Sequence, residues 1–197
     1  MGRAKSLLSL PSSGETFVAR IIGAVLEGGA ADALVVGRPE DLALRAEIAR
    51  GFDPVHPSNA PQPLRRARFV ENPRADTGQL SSVIAGLDAA DRPGVRAILV
   101  TPVDMPLVRP ATVAALLTAF SSSPHPIVRA THRGRHGHPV IFGRAVFDAL
   151  RRADPEIGAR AVVRAHSVLD VEVNDPGVLQ DVDTPDDYRR LTSSSES

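Results

Sequence analysis

Cysteine and tryptophan are absent from this 197-residue chain, and tyrosine occurs only once. Without cysteine the chain has no disulfide framework, no thiolate nucleophile and no thiolate ligand for a metal. No apolar run approaches the roughly 20 residues that a membrane-spanning helix needs. The amino terminus also lacks the apolar core of a secretory signal peptide. We therefore expect a cytoplasmic protein without a membrane partner.

An excess of charge of either sign is absent as well, because 23 Lys and Arg residues balance 23 Asp and Glu residues. Proteins that bind nucleic acid usually carry a basic surplus, so we expect no nucleic acid partner. Lysine itself is nearly absent, and Lys5 is the only one. In a sequence that otherwise uses arginine, a retained lysine suggests a position that needs a compact point charge rather than a planar guanidinium.

Apolar segments with strand character alternate with segments of helical periodicity along most of the chain. This alternation predicts an α/β fold with a mostly parallel sheet. The run VRAILVTPVD at 95–104 has an unbroken apolar centre, which is typical of a strand buried on both faces. Segments 39–50 and 77–91 predict helices, which their first residues, a proline and a threonine, are suited to begin. The stretch 51–64 contains four prolines and predicts a loop.

Two aspartates are the first candidates for chemistry, because sheets of this kind bind ligands beyond the carboxyl ends of their strands. Asp104 follows the most apolar strand segment, and Asp183 precedes a helix that Thr184 and Asp187 are expected to cap. Mg²⁺ takes one or two protein carboxylates and completes its shell with water and phosphate oxygens. Asp104 and Asp183 would suit Mg²⁺ if the fold brings them together. Asp181 competes with Asp183, and loop hydrogen bonding is the structural alternative.

Two segments that contain glycine have the chemistry of anion sites. MGRAK places Gly2 and Lys5 before a predicted helix, where backbone N–H groups and an ammonium can meet phosphate, although a solvated tail fits the same residues. Gly78, Ser81 and Ser82 lie at another predicted helix N terminus, which also attracts anions. Ordinary helix capping is the alternative there.

Three histidines, His132, His136 and His138, lie close together in the segment HRGRHGHPVIFG. Such a group raises the question of a metal site. The segment supplies neither an acidic nor a thiolate ligand, so we expect a basic, glycine-rich loop that faces a phosphorylated ligand rather than a zinc site. Local hydrogen bonding of one or two of the histidines is the structural alternative.

Five segments occur in the order MGRAKSLL, NPRADTGQLSSVIAGL, VTPVDMPLV, RHGHPVIFG and DVDTPDDYRRL. In this order they resemble the molybdenum cofactor cytidylyltransferases, within the MobA-like nucleotidyltransferases. The resemblance covers residues 1–191 as one domain and leaves 192–197 as a disordered tail. It implies a Rossmann-like, glycosyltransferase-A-type fold of three layers. It also implies transfer of CMP or GMP from CTP or GTP to the phosphate of a molybdopterin-type cofactor, with release of pyrophosphate.

The resemblance assigns roles to individual residues. Gly2 and Lys5 match the opening phosphate-binding motif, and Asp104 and Asp183 match the metal-binding positions. Lys5 and Asp104 are thus the catalytic candidates, and Mg²⁺ is the expected cofactor. The expected partners are the nucleotide, the molybdopterin-type cofactor, and a molybdoenzyme or its maturation factor. The remaining matches are Gly78, Ser81 and Ser82 on the nucleotide side, and Gly137, His138 and Pro139 on the acceptor side.

The family's opening motif, L-A-A-G-x-S-x-R-M-G-x-x-K, is represented here only from its methionine onward. The strand, the glycine-rich turn and the arginine that come before that methionine in the family are not in this sequence. Because that strand is central in the family's sheet, we expect its two neighbours to have unpaired edges. Either translation starts upstream, or the shortened chain is a non-catalytic protein that binds cofactor or nucleotide. The intact later motifs favour the first interpretation.

Overall fold

A computed structural model describes residues 5–52 and 67–193, so Gly2 and most of the predicted 51–64 loop lie outside the described residues. None of the described helices is long and apolar enough to cross a membrane. The α-helices are α1 (Phe17–Glu27), α2 (Leu42–Phe52), α3 (Gln79–Ala90), α4 (Pro110–Ser122), α5 (Phe147–Arg151), α6 (Ala159–Ala165) and α7 (Pro185–Ser193). The strands are β1 (Ala33–Gly37), β2 (Ala67–Glu71), β3 (Ala97–Val100), β4 (Ile127–His132), β5 (Arg135–Gly143) and β6 (Val168–Glu172).

The described strands form two sheets. β1 and β2 pair in parallel, and the other four strands follow the order β3–β5–β4–β6. β4 and β6 are parallel, whereas β5 runs antiparallel to β3 and β4. β5 departs from the parallel order because only Arg133 and Gly134, both with positive φ, separate it from β4, and so tight a turn reverses the chain. The predicted α/β class is confirmed.

Helices cover both faces of the four-stranded sheet. Val140 and Phe142 of β5 belong to one core cluster with Leu87 of α3. Ile141, between them, belongs to another cluster with Leu116 of α4. Neighbouring residues of a strand point to opposite faces, so α3 and α4 lie on opposite sides of the sheet. The result is an arrangement of three layers, helix, sheet and helix, as the resemblance implies.

β1 and β3 are the end strands of the two sheets, and both line one cavity of about 870 Å³. Among the described residues, β1 is paired only with β2, and β3 is paired only with β5. Unpaired edges thus occur at these two strands. One expectation was wrong here: β3, predicted to be buried on both faces, is only partly buried along its length, because it lines this cavity.

The start of α2 differs from the sequence prediction. The helix begins at Leu42 rather than at Pro39. Asp41 accounts for the shift, because its Oδ2 accepts the backbone N–H of Arg38 at 2.8 Å. This hydrogen bond closes a turn ahead of the helix, of the kind that aspartate side chains favour.

The caps of α3 and α7 differ in how well they were predicted. α3 begins after Gly78, whose φ of 106° lies in the left-handed region, and Thr77 does not cap it. Instead the Thr77 hydroxyl donates to the Arg74 carbonyl at 2.8 Å. At α7 the predicted capping box is confirmed, because Asp187 accepts the N–H of Thr184 and Thr184 accepts the N–H of Asp187. α7 runs to Ser193, and 194–197 lie outside the described residues.

Candidate functional site

Asp104 lies just beyond β3, at the carboxyl end where the sequence places it. Its backbone carbonyl accepts the N–H of Val182 at 2.8 Å, which ties this loop to the segment leading into α7. Asp183 follows Val182 directly, so the two predicted metal-side residues lie on adjoining segments. Burial first, and then repulsion from Asp183, raise the pKa of the Asp104 carboxyl above its ordinary value of 3.8.

Lys5 reaches the same place from the other end of the chain. Its Nζ lies 2.5 Å from Asp183 Oδ1. The hydrogen bond with Asp183, together with the charges of Asp183, Asp104 and Asp181, raises the pKa of the Lys5 ammonium, while burial opposes that shift. The Lys5 and Asp183 side chains are 36% and 53% exposed, and a pair so accessible to water adds little to stability. The structure therefore brings the Lys5 ammonium close to the carboxyl groups of Asp104, Asp181 and Asp183. This arrangement adds little to the stability of the fold.

His138, from β5, adds an imidazole ring near Asp104. Burial lowers the pKa of the His138 ring, whereas a backbone hydrogen bond with Val100 and the charge of Asp104 oppose the shift. Its Nδ1 is buried without a hydrogen-bond partner among the described residues, and so is Oγ1 of Thr101 at the end of β3. Buried polar atoms in proteins nearly always have partners. Two such atoms near Asp104 have no hydrogen-bond partner within the described part of the chain.

Gly137 has a packing role that the sequence did not reveal. A Cβ built there would lie 2.1 Å from the carbonyl oxygen of Val178. β5 thus approaches the 3₁₀ helix Pro176–Leu179 so closely that only glycine fits. His138 and Pro139, joined by a cis peptide bond, follow directly in β5. The acceptor-side role of this segment stays a prediction.

The other two histidines are engaged locally. His132 Nδ1 lies 2.8 Å from the carbonyl of Val173, and His136 Nε2 lies 3.4 Å from Asp170. Within residues 5–52 and 67–193, no group of three or more His, Cys, Asp or Glu side chains is arranged to hold a metal. The histidines of the β4–β5 turn therefore contribute separate contacts in the described structure.

Gly78, Ser81 and Ser82 are organised by a residue that sequence reasoning missed, Asn72. Asn72 is 2% exposed, and its Nδ2 donates to the hydroxyls of Ser81 and Ser82 at 2.9 and 3.1 Å. Its Oδ1 accepts the N–H of Arg74 at 3.0 Å, which folds the connecting loop back. The available signal was a polar residue directly after β2, at the end of a strand. No side chain caps α3, and its first N–H groups therefore have no side-chain acceptor in the described structure.

The start of α3 and the segment that follows β3 line the same cavity. Gln79 and Ser82 of α3 line it from one side, and Thr101–Val103, which lead into Asp104, line it from the other. Ser82 is thus the one described candidate residue that lines the cavity, and Asp104 directly follows the lining segment on the other side. Such convergence at the carboxyl ends of strands is typical of ligand sites in α/β proteins.

A comparison with family models decides the family. The model described as the MobA-like NTP transferase domain matches residues 1–171, most of the chain. The chain belongs to this MobA-like NTP transferase family. The resemblance noted from the five motifs is confirmed at the level of the family.

This chain is also similar to individual proteins. The Bacillus subtilis purine catabolism protein PucB is 28% identical over 193 residues, covering 95% of this chain and 87% of PucB. The manganese complex of Mycobacterium tuberculosis Rv0371c has a TM-score of 0.72 and 27% identity, covering 98% of this chain and 93% of that one. Molybdopterin-guanine dinucleotide biosynthesis protein A from Archaeoglobus fulgidus supports the fold alone, with a TM-score of 0.64, 18% identity, and coverage of 98% and 91%.

Asp175 is a second residue of this MobA-like chain that sequence reasoning missed. It is 2% exposed, and its Oδ2 accepts the N–H of Arg109 at 2.9 Å and the hydroxyl of Thr112 at 2.6 Å. Its Oδ1 accepts the N–H of Gly177 at 3.0 Å. Asp175 thus fixes the start of α4, where the loop that carries Asp104 ends. The Asp-Pro-Gly sequence after β6 was the available signal, because aspartate bonds its own turn in such positions.

Proposed function

We propose that this chain transfers a CMP or GMP group from CTP or GTP to the phosphate of a molybdopterin-type cofactor and releases pyrophosphate. The observation that carries the proposal is the meeting of Lys5, Asp104 and Asp183. These residues come from the start, the middle and the end of the chain, and the Asp104–Val182 hydrogen bond and the Lys5–Asp183 ion pair join them. Membership of the MobA-like NTP transferases supports nucleotidyl transfer as the reaction class.

The carboxyl groups suit a hard divalent cation such as Mg²⁺. Asp104 and Asp183 would supply oxygen ligands. Burial first, and then repulsion from Asp183, raise the pKa of the Asp104 carboxyl, and a bound cation would relieve the repulsion. Mg²⁺ commonly uses only one or two protein carboxylates. A divalent ion bound there would neutralise negative charge on the phosphate oxygens. The manganese complex of the similar protein Rv0371c agrees with a divalent cation in this family.

The protein's own part in the reaction is positioning and electrostatics. In the proposed reaction an acceptor phosphate oxygen forms a bond to the α-phosphorus while the bond from that phosphorus to pyrophosphate breaks. Lys5 holds phosphate oxygens as a compact point charge, because a lysine ammonium is protonated at neutral pH. Asp104 and Asp183 orient the charged groups around it.

The two substrates are assigned to the two sides of the cavity. Gly78, Ser81 and Ser82 bind the nucleotide at the N terminus of α3, where the N–H groups favour phosphate. Gly137, His138 and Pro139 face the acceptor. A molybdoenzyme or its maturation factor is the protein partner that would receive the product.

Release of pyrophosphate from CTP or GTP tests the proposal. The purified chain should release pyrophosphate only when the molybdopterin-type cofactor and Mg²⁺ are both present. Asp104→Asn should lower kcat/KM by about 100-fold or more, because it removes a charge from the reacting centre. Asp148→Asn is the matched control, since that carboxyl is 75% exposed on α5 and pairs with Arg151. Its rate should match the wild type.

The outcomes separate the proposal from its rivals. An Asp104→Asn rate equal to that of Asp148→Asn would contradict the metal role. Pyrophosphate release with a sugar phosphate but not with the cofactor would keep the chemistry and change the acceptor. Binding of nucleotide or cofactor without any turnover would support the non-catalytic alternative.

A further inference from the structure

The segments that carry Lys5, Asp104 and Asp183 all contribute side chains to one small apolar cluster. Leu107 comes from the loop that follows Asp104, and Val182 directly precedes Asp183. Because packed apolar side chains leave little room to shift, this cluster fixes the three segments relative to one another. Its members are Leu8, Leu10, Phe17, Leu107, Val182, Tyr188 and Leu191.

Tyr188 of α7 is the only tyrosine of the chain, and it adds a polar contact to this cluster. The centroid of its ring lies 6.3 Å from the centroid of the Phe17 ring. Its hydroxyl donates a hydrogen bond to the backbone carbonyl of Ser9 at 2.7 Å. A phenylalanine could make the same ring contact, so the hydroxyl supplies a directional contact that packing alone does not provide.

Backbone hydrogen bonds restrict the stretch between Ser9 and Lys5. The N–H of Leu8 donates to the Lys5 carbonyl at 3.1 Å, and the Leu8 carbonyl accepts the N–H of Phe17 at 2.8 Å. Ser9 forms an antiparallel β-bridge with Thr16. These bonds leave the stretch little freedom, so the position of Ser9 determines where the Lys5 backbone lies.

The same helix holds Asp183. Oδ2 of Asp187 accepts the N–H of Asp183 at 3.2 Å and the N–H of Thr184 at 2.8 Å. Tyr188 is the next residue of α7 after Asp187. The beginning of α7 therefore contacts Asp183 through its cap and the Lys5 segment through the Tyr188 hydroxyl.

The ion pair between Lys5 and Asp183 needs such support. Its side chains are 36% and 53% exposed, and exposed pairs gain little free energy from their attraction. The lysine stem is also flexible, so the pair forms only where the backbone brings both residues close.

We propose that Tyr188 is a positioning residue of the candidate site, and that the hydrogen bond from its hydroxyl to the Ser9 carbonyl holds Lys5 against Asp183. Tyr188 acts through the Lys5 segment rather than on a ligand. The consequence for phosphate binding rests on the function proposed above, whereas the contacts themselves do not depend on that function.

NMR of the whole chain without substrate tests the proposal. Lys5 is the only lysine, so isotope-labelled lysine gives one side-chain Cε signal. Tyr188→Phe keeps the ring and removes the hydroxyl. The Lys5 signal of this variant should move at least halfway from its wild-type position to its position in Asp183→Asn, where the ammonium has lost its carboxylate partner.

Ser122→Ala is the matched control. The Ser122 hydroxyl also donates to a backbone carbonyl, that of Thr118 at 2.9 Å on α4, so its loss removes the same kind of bond elsewhere. The Lys5 signal of this variant should coincide with that of the wild type. A hydroxyl that only stabilises the fold would lower the melting temperature of Tyr188→Phe and leave the Lys5 signal in place, and this result would overturn the proposal.

The wild type provides a second measurement, which remains decisive even if Tyr188→Phe does not fold. NMR relaxation of the Lys5 Cε methylene should show restricted motion in the native protein. Motion as free as that of the urea-unfolded chain would overturn the proposal, because Lys5 would then have no fixed position.

Inorganic pyrophosphate separates this proposal from the proposed function. In calorimetry, Lys5→Met should weaken pyrophosphate binding by about tenfold and Tyr188→Phe by about threefold, since one loses a charged donor and the other a neutral hydrogen bond. Wild-type affinity in both variants, together with a moved Lys5 signal in Tyr188→Phe, would support the positioning role and contradict the assignment of Lys5 to phosphate.

Discussion

The half of the molecule built on β3–β5–β4–β6 is packed far more completely than the half built on β1–β2. Most of β4 and the second half of β5 are buried, and several core residues around them have no exposed surface. β1 and β2 are mostly only partly buried, and β1 faces the 870 Å³ cavity. A strand reaches full burial only when it is paired on both edges and covered on both faces, and β1 is paired on one edge only within residues 5–52 and 67–193.

The candidate site draws on both halves. Asp104 and His138 belong to the packed half, where Asp175 and Gly137 hold their segments firmly. Ser81 and Ser82 belong to the open half, where Asn72 supplies the support. We infer that the packed half fixes the geometry around Asp104, whereas Asn72 fixes the geometry around Ser81 and Ser82.

Matched leucine truncations test the difference in packing and carry the largest expected effect. Leu150 of α5 has no exposed surface, so Leu150→Ala should lower the free energy of unfolding by about 3 kcal/mol. Leu34 of β1 is only partly buried and lines the cavity, so Leu34→Ala should cost about 1 kcal/mol or less. Urea unfolding measures both. Equal losses would show that the two halves are packed alike.

Removal of the Asp175 carboxyl tests the support of the site from the packed half. Asp175→Ala leaves the N–H of Arg109 and the hydroxyl of Thr112 without their acceptor, and should lower the free energy of unfolding by about 2 kcal/mol. It should also disorder the loop that carries Asp104. Chemical shifts of Met105 and Leu107 report on this loop, and unchanged shifts would argue against the role. Asp154→Ala on an exposed turn is the control.

The raised pKa of Asp104 predicts a smaller effect, a change of stability with pH whose direction is fixed. The pKa of Asp104 is higher in the folded protein than its ordinary value of 3.8. Protonated Asp104 therefore stabilises the fold at pH values below 3.8, and this stabilisation is lost as the pH rises through the folded-state pKa. Without a divalent cation, Asp104→Asn should therefore be the more stable protein at pH 7, by less than about 1 kcal/mol. The difference should vanish near pH 3. Melting temperatures measured across pH check it, and a less stable variant at pH 7 without cation would contradict it.

Local signals in the sequence predicted what local chemistry controls. The capping box of Thr184 and Asp187, the alternation of strands and helices, and the positions of Asp104 and Asp183 after or before regular elements all follow from neighbouring residues. Contacts between residues that are distant in the sequence could not be predicted from such local signals. The support from Asn72 and Asp175 depends on partners brought close by the fold, and the partial burial of β3 depends on an edge that nothing described pairs with.

Paramagnetic broadening by Mn²⁺ tests the central claim, that Asp104 and Asp183 together form a divalent-cation site where the segments from β3 and α7 meet. In NMR spectra of the whole chain, substoichiometric Mn²⁺ should first broaden the amides of 103–105 and 182–184, while those of α5 stay sharp. Asp104→Asn should abolish this broadening. Broadening that instead centres on the acidic cluster Asp88, Asp91 and Asp148 around Arg151, with 103–105 unaffected, would contradict the account.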